Sequence, residues 1–215
     1  MKTASILSVA LLGALASSAS AQLVLFDFNN GPQFTSTPVD QVSGGIRAHF
    51  TATGQGFSIQ NTQQVIGMLP TGFSGLGMNP NSVFIADLMV SFFDASTSSV
   101  LDLSAVSFMI APQELACDTS STIRMFAYHG TNLVTFVDAT AQGDVFTWPT
   151  ITPSITSAQP FDNIVVHFQA GPPSGGDWGP IFVADNLRVT PVPEPAALLA
   201  VVIGLSIALL RRRRN

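Results

Sequence analysis

One cysteine, Cys117, stands alone in 215 residues, so no disulfide can close within the chain and no Cys-x-x-Cys pair exists for zinc or redox work. Lysine is as scarce. Lys2 is the only one, and four of the seven arginines close the chain, which leaves Arg47, Arg124 and Arg188 between residues 22 and 190. Twelve acids share that stretch with those three cations, a net charge of −9. Such a surface repels phosphate backbones and excludes nucleic acid as a partner. The three histidines, His49, His129 and His167, lack any His-x-x-x-His spacing. The stretch "TGFSGLG" fails as a nucleophile elbow because Leu76 stands where the second glycine is required, and no βαβ pattern surrounds it for a dinucleotide. It is read as a flexible loop. Long helical periodicity, internal repeats and a Thr-x-Thr ladder are also missing from the body, which argues against bundles, solenoids and propellers. No catalytic constellation is found, and the expectation is a protein that is not an enzyme.

What is present begins with an export signal. Lys2 supplies a positive start, Ile6 to Ala16 an apolar stretch, and Ala19-Ser20-Ala21 the small residues a signal peptidase accepts. Cleavage is expected after Ala21, with a mature start at Gln22. The other end is also apolar. Ala196 to Leu210 is 15 residues without a charge, about 22 Å as a helix against a hydrocarbon core of roughly 30 Å. Arg211, Arg212, Arg213 and Arg214 extend the reach, because their aliphatic stems lie in the membrane while the guanidinium groups find headgroups. Four adjacent cations also resist translocation, so the segment reads as a stop-transfer span with the body on the far side.

Val192-Pro193-Glu194-Pro195, a short apolar helix and a terminal arginine cluster together resemble the PEP-CTERM sorting signal of Gram-negative envelope proteins, a tail also called an ice-binding protein C-terminal domain. The resemblance covers about the last 24 residues. It implies recognition by an exosortase, a membrane-embedded cysteine transpeptidase-like enzyme that removes the helix and releases or attaches the body. The two prolines bar helix and present an extended, gripped peptide. An inner-membrane-tethered intermediate is therefore expected, and then a cell-surface or extracellular product. The division is 1–21 signal peptide, 22–190 ectodomain and 191–215 sorting signal.

The ectodomain reads as strands. "LVLFDFN", "GGIRAHFTAT", "GFSIQN", "VFIADLMVSFF", "SVLDLSAVSFMIA", "TIRMFAYHG", "NLVTFVDAT", "DVFTW", "FDNIVVHFQ" and "PIFVADNLRVT" alternate with Gly, Pro, Asn and Ser clusters. This rhythm predicts an all-β fold, an antiparallel β-sandwich of jelly-roll type, loosely similar to carbohydrate-binding modules. A hairpin turn is predicted over His129 to Asn132, and "PQELA" has room for one helical turn. In the last strand Asp185 shares parity with Ile181, Val183, Leu187 and Val189, and Asp27 shares a face with Leu23 and Leu25 in the first. First and last strands often adjoin in jelly rolls. The two carboxylates then either hold a structural calcium ion or cap strand ends in water. Asp162-Asn163 is read as a turn contact. Trp178 in "PPSGGDWGP", Trp148 before Pro149 and Tyr128 beside the hairpin turn are candidate platforms for sugar rings.

The expected function is an exported envelope or extracellular-matrix protein with a structural or adhesive role in the exopolysaccharide layer. A carbohydrate-binding module is the alternative, with extracellular polysaccharide as partner. A secreted hydrolase is the third reading.

Overall fold

The computed structural model describes residues 22–82, 86–113, 120–142, 149–169 and 181–193. Within them Leu23–Pro191 forms a compact unit. Its strands are β1 (Val24–Phe26), β2 (Thr35–Ser36), β3 (Val39–Ser43), β4 (Ile46–Ala52), β5 (Phe57–Asn61), β6 (Leu76–Pro80) and β7 (Leu88–Asp94), then β8 (Leu103–Gln113), β9 (Ser120–His129), β10 (Asn132–Gln142), β11 (Ser154–Phe161), β12 (Asn163–Gln169) and β13 (Ile181–Pro191). They make two antiparallel sheets. One runs β11-β8-β13-β6-β5-β2, with β1 also paired to β13, and the other runs β10-β9-β12-β7-β4-β3. The protein is a β-sandwich, as the strand rhythm predicts.

Alternation explains the core. In β9, Ile123, Met125 and Ala127 are buried while Thr122, Arg124, Phe126 and Tyr128 between them are not. In β7 the inward set is Leu88, Val90 and Phe92, and in β12 Ile164, Val166 and Phe168. From the other sheet, Val106, Phe108 and Ile110 of β8 meet them. Each fully buried phenylalanine contributes about 1.5–3 kcal/mol of transfer free energy, so a phenylalanine-rich core holds the unit together without a disulfide.

Several strands escaped the sequence reading. In β6, "LGMNP" carries a glycine and a proline, and in β11 Pro160 sits on an edge strand, where a missing N–H costs no ladder bond. "GGIRAHFTAT" is not one strand. Gly44 and Gly45, at φ 54° and 79°, form a two-residue hairpin turn, and β3 is its other arm. One helical turn, α1 (Thr62–Ile66), was also not expected. Asn61 Oδ1 caps it by accepting from the Gln64 N–H, and Gly67 ends it at φ 80°.

The last strand corrects the parity argument. The pairing of β13 with β8 shifts between Asp185 and Arg188, at Asn186 with φ 53°. The bulge turns the strand over. Phe182 and Ala184 before it, and Leu187 and Val189 after it, face the sandwich core, whereas Ile181 and Val183 pack outside the sheet with Phe73 and Ala111. Asp185 therefore does not share a face with Leu187 and Val189. Asp27 keeps the parity of Leu23 and Leu25, but that face is not the core: Leu23 and Leu25 are exposed while Val24 and Phe26 are buried. "TGFSGLG" is not simply a flexible loop. Phe73 is buried, and Leu76 opens β6.

No helix among the described residues is long and apolar enough to cross a membrane. The expected span 196–210, the signal peptide with Ala19 and Ala21, Glu194, Pro195, Arg211 to Arg214, Cys117 and "DVFTW" lie outside the described residues, as does most of "PQELA", whose Pro112 and Gln113 belong to β8.

Candidate functional site

In an antiparallel ladder, directly opposed residues share a face, so the register of the six-stranded sheet writes out its outer surface row by row. One row crosses five strands: Phe136 of β10, Phe126 of β9, Val165 of β12, Met89 of β7 and Thr51 of β4. It is apolar for four of its five positions. At about 4.8 Å per strand it extends roughly 19 Å.

Polar rows flank it on both sides. On one side Asp138 opposes Arg124 and Arg124 opposes His167, whose Nδ1 lies 2.7 Å from Asp87 Oδ1. On the other side stand Tyr128, Asn163, Ser91, His49 and Asp40, each opposite the next. Every one of these side chains is half-buried or exposed. The result is an apolar track with hydrogen-bonding groups along both margins.

The margins are held in place. Arg124 grips Asp138 with two parallel bonds of 2.7 Å, from Nε to Oδ1 and from Nη2 to Oδ2. The same guanidinium lies 4.5 Å from the Phe136 ring centre and 5.9 Å from that of Phe126. Phe126 in turn sits 6.0 Å from Phe136 and 6.1 Å from Tyr128, centre to centre. The hydrogen bonds from Arg124 hold the Asp138 carboxyl below its ordinary range. At the far end Asp40 accepts from Arg47 Nη1 at 3.2 Å and contacts His49 Nδ1. Partial burial pushes the Asp40 carboxyl up, but the bonds from His49 and Arg47 outweigh it and the net direction is down. Arg47 stacks 4.6 Å above Phe93. Arginines 47 and 124, two of the three in the body, thus both stand on this face.

Of the aromatic candidates, Tyr128 lies on this face beside Phe126, whereas Trp148 and Trp178 lie outside the described residues. Phe126, Phe136, Arg124, His167 and His49 were not singled out in the sequence. The available signal was the outward parity of "TIRMFAYH", which places Arg124, Phe126 and Tyr128 on one side.

The two suspected carboxylates do come near each other, because β1 and β13 pair with Val24 opposite Val189. Asp185 is fully buried. Its Oδ2 accepts from the Ser74 N–H at 3.0 Å and its Oδ1 from the Asn186 N–H at 2.7 Å. Burial raises its carboxyl to about 6, the two backbone bonds oppose the rise, and the charge of Asp27 adds to it. Asn29 joins the group by donating from Nδ2 to Ser74 Oγ at 2.9 Å. Asp27 itself opens onto a cleft of about 220 Å³ lined by Phe26, Phe28, Asn30 and Gln41. The Asp162-Asn163 pair contacts the hairpin turn, as read: Gly130 N–H donates to Asp162 and Asn163 Nδ2 to the Gly130 carbonyl.

No family model and none of the curated proteins matches the chain. Among solved structures it is similar to a mutant of CBM29-2 from work on ligand recognition by family 29 carbohydrate-binding modules, at 12% identity over 79% of this chain and 92% of that one, with a TM-score of 0.40. It is also similar to a family 6 carbohydrate-binding module, at 10% identity over 78% and 93% with a TM-score of 0.31. A third is Arthrobacter globiformis T6 isomalto-dextranase complexed with panose, at 13% identity over 72% of this chain and 22% of that one, TM-score 0.28. Likeness of this size transfers neither ligand nor activity.

Proposed function

We propose that this is an exported protein of the cell envelope or extracellular matrix that holds polysaccharide against the outer face of its six-stranded sheet. The observation that carries the reading is the apolar row Phe136-Phe126-Val165-Met89 with a polar row on each side. A pyranose ring has the same division, with C–H faces and a hydroxyl rim. Rings lying along the track would stack on Phe126 and Phe136 while Arg124, Asp138 and His167 take hydroxyls on one margin and Asn163, His49 and Asp40 on the other. The chain of sugars then runs across the strands. Binding serves adhesion and not turnover, and the open face suits a long polymer better than a small substrate.

Delivery follows the sequence signals: signal peptidase at Ala21, a tail held in the inner membrane, then exosortase processing near Val192-Pro193-Glu194-Pro195. The mass of the protein recovered from culture medium reports both cleavages, and an intact full-length species there would refute this route.

The binding test is retention of the purified protein on immobilised extracellular polysaccharide. Phe136→Ala and Phe126→Ala are expected to weaken it, and Trp178→Ala tests whether residues 172–180 add to the site. Retention unchanged in both phenylalanine variants would remove this face from the reading.

A second, structural proposal rests on Asp27 and Asp185. The charge of Asp27 acts on the Asp185 carboxyl, and Ser74 Oγ lies 3.5 Å from Asp185 Oδ2. These neighbouring oxygens support a calcium ion taken up between the two acids, as hard oxygen ligands would hold it. Calcium would offset the repulsion between the acids and pin the first strand to the last.

A further inference from the structure

We propose that Asp102, His129 and Asp162 form a binding site for a divalent transition-metal ion of the zinc class, and that the ion ties the two sheets together at one corner of the sandwich. Beyond polysaccharide binding and the calcium proposal, this site uses different residues at a different place.

The topology brings the three together. The chain leaves one sheet at the end of β11 and enters the other at the start of β12, and Asp162 is the residue between. On the first sheet, Phe161 pairs with Leu103, which sets Asp162 beside Asp102. On the second, Asn163 pairs with Tyr128, which sets it beside His129. Residues 60 positions apart in sequence therefore deliver one ligand atom each, all lying within 4.8 Å of one another.

Asp162 is the anchored member. It is buried, and its carboxylate is oriented by the Gly130 N–H, at 3.1 Å to Oδ1 and 3.0 Å to Oδ2, and by Asn163 Nδ2 at 2.6 Å to Oδ1. Supporting bonds of this kind orient a metal ligand. His129 and Asp102 are half exposed, and His129 Nε2 stands 3.4 Å from Asp102 Oδ1. That distance is long for a charged hydrogen bond. It matches the edge of a tetrahedron: metal bonds of about 2.0–2.2 Å to nitrogen and oxygen separate neighbouring ligands by roughly 3.4 Å. The ligand atom of Asp162 lies within 4.8 Å of the other two, a gap that rotation of the exposed His129 and Asp102 side chains would close around an ion.

Charge calls for a cation as well. Asp102 and Asp162 are juxtaposed, and the guanidinium groups of Arg47 and Arg124 are engaged elsewhere, on Asp40 and Asp138. An imidazole nitrogen among two carboxylates suits zinc, cobalt or manganese rather than calcium, which takes all-oxygen sets. Three protein ligands leave at least one position open to water or to a hydroxyl of a bound ligand.

The purified protein would be titrated with Co²⁺, whose visible absorption reports coordination, and then back-titrated with Zn²⁺. One Co²⁺ per chain, displaced by one Zn²⁺, is expected. His129→Ala should abolish the signal, and Asp102→Asn should weaken binding at least ten-fold. Both side chains are solvent-facing, so the circular dichroism of each variant should match the parent. Absence of Co²⁺ and Zn²⁺ binding up to millimolar concentration would overturn the site. So would a cobalt spectrum that survives His129→Ala, or one that is lost instead in Asp27→Asn.

Discussion

Acidification should stabilise this protein through one residue, Asp185. Its carboxyl titrates near 6 in the folded protein because it is fully buried, against 3.8 when unfolded. Between these two values the folded state holds a proton that the unfolded state has released. Stability from this group is therefore complete below about pH 3.8, falls as pH rises through 6, and is lowest above that. A gap of about two pH units at 1.36 kcal/mol each amounts to about 3 kcal/mol, of which roughly 2 kcal/mol appears between pH 7 and pH 4.5. Asp40, Asp94 and Asp138 work the other way, since their carboxyls are lowered, Asp94 to about 2. Their stabilisation is lost as pH falls below the ordinary carboxylate range. Comparison with Asp185→Asn removes them, because they titrate alike in both proteins. Urea unfolding of parent and variant, in chelator, at pH 7 and pH 4.5 isolates the effect of Asp185. The parent should gain about 2 kcal/mol on the variant as pH drops. Parallel behaviour of the two proteins would show that burial does not perturb Asp185, and the account of β13 would fail with it.

Three further outcomes are expected. Phe136→Ala, at a ring 49% exposed, should weaken polysaccharide binding on the order of ten-fold, about 1.4 kcal/mol, in affinity electrophoresis, with little change in melting temperature. Gly44→Ala should destabilise by about 1–2 kcal/mol for its left-handed backbone, with more from a new Cβ meeting Val24 Cγ2 at 2.7 Å; equal stability in denaturant would contradict the hairpin. Millimolar calcium should raise the melting temperature of the parent but not of Asp27→Asn, and a melting curve indifferent to chelator would remove the motive for calcium at that site.

The sequence by itself determined the class of fold. Period-two alternation in "TIRMFAYHG" and "FDNIVVHFQ" commits each segment to a strand with one apolar face, since side chains point alternately up and down a pleated backbone. It determined the hairpin over His129 to Asn132, whose arms β9 and β10 pair as the turn residues require. The anionic, nearly lysine-free character of the body was also legible, because net charge is a sum and needs no coordinates. Strands with a weak pattern, such as β6 and β11, were not legible: their glycine and prolines are tolerated only by positions that pairing defines.

Tertiary structure decided which faces meet and which residues become neighbours. The parity of Asp185 with Leu187 and Val189 is correct as counting and wrong as geometry, because a bulge at Asn186 inverts the strand, and no local signal separates that asparagine from others in turns. The track from Phe136 to Thr51 joins residues 85 positions apart, and the corner of Asp102, His129 and Asp162 joins three segments. Neither is written locally. Alternation is a property of a single strand and is fixed by backbone stereochemistry, whereas a row across a sheet depends on register between strands, which only the packed core selects.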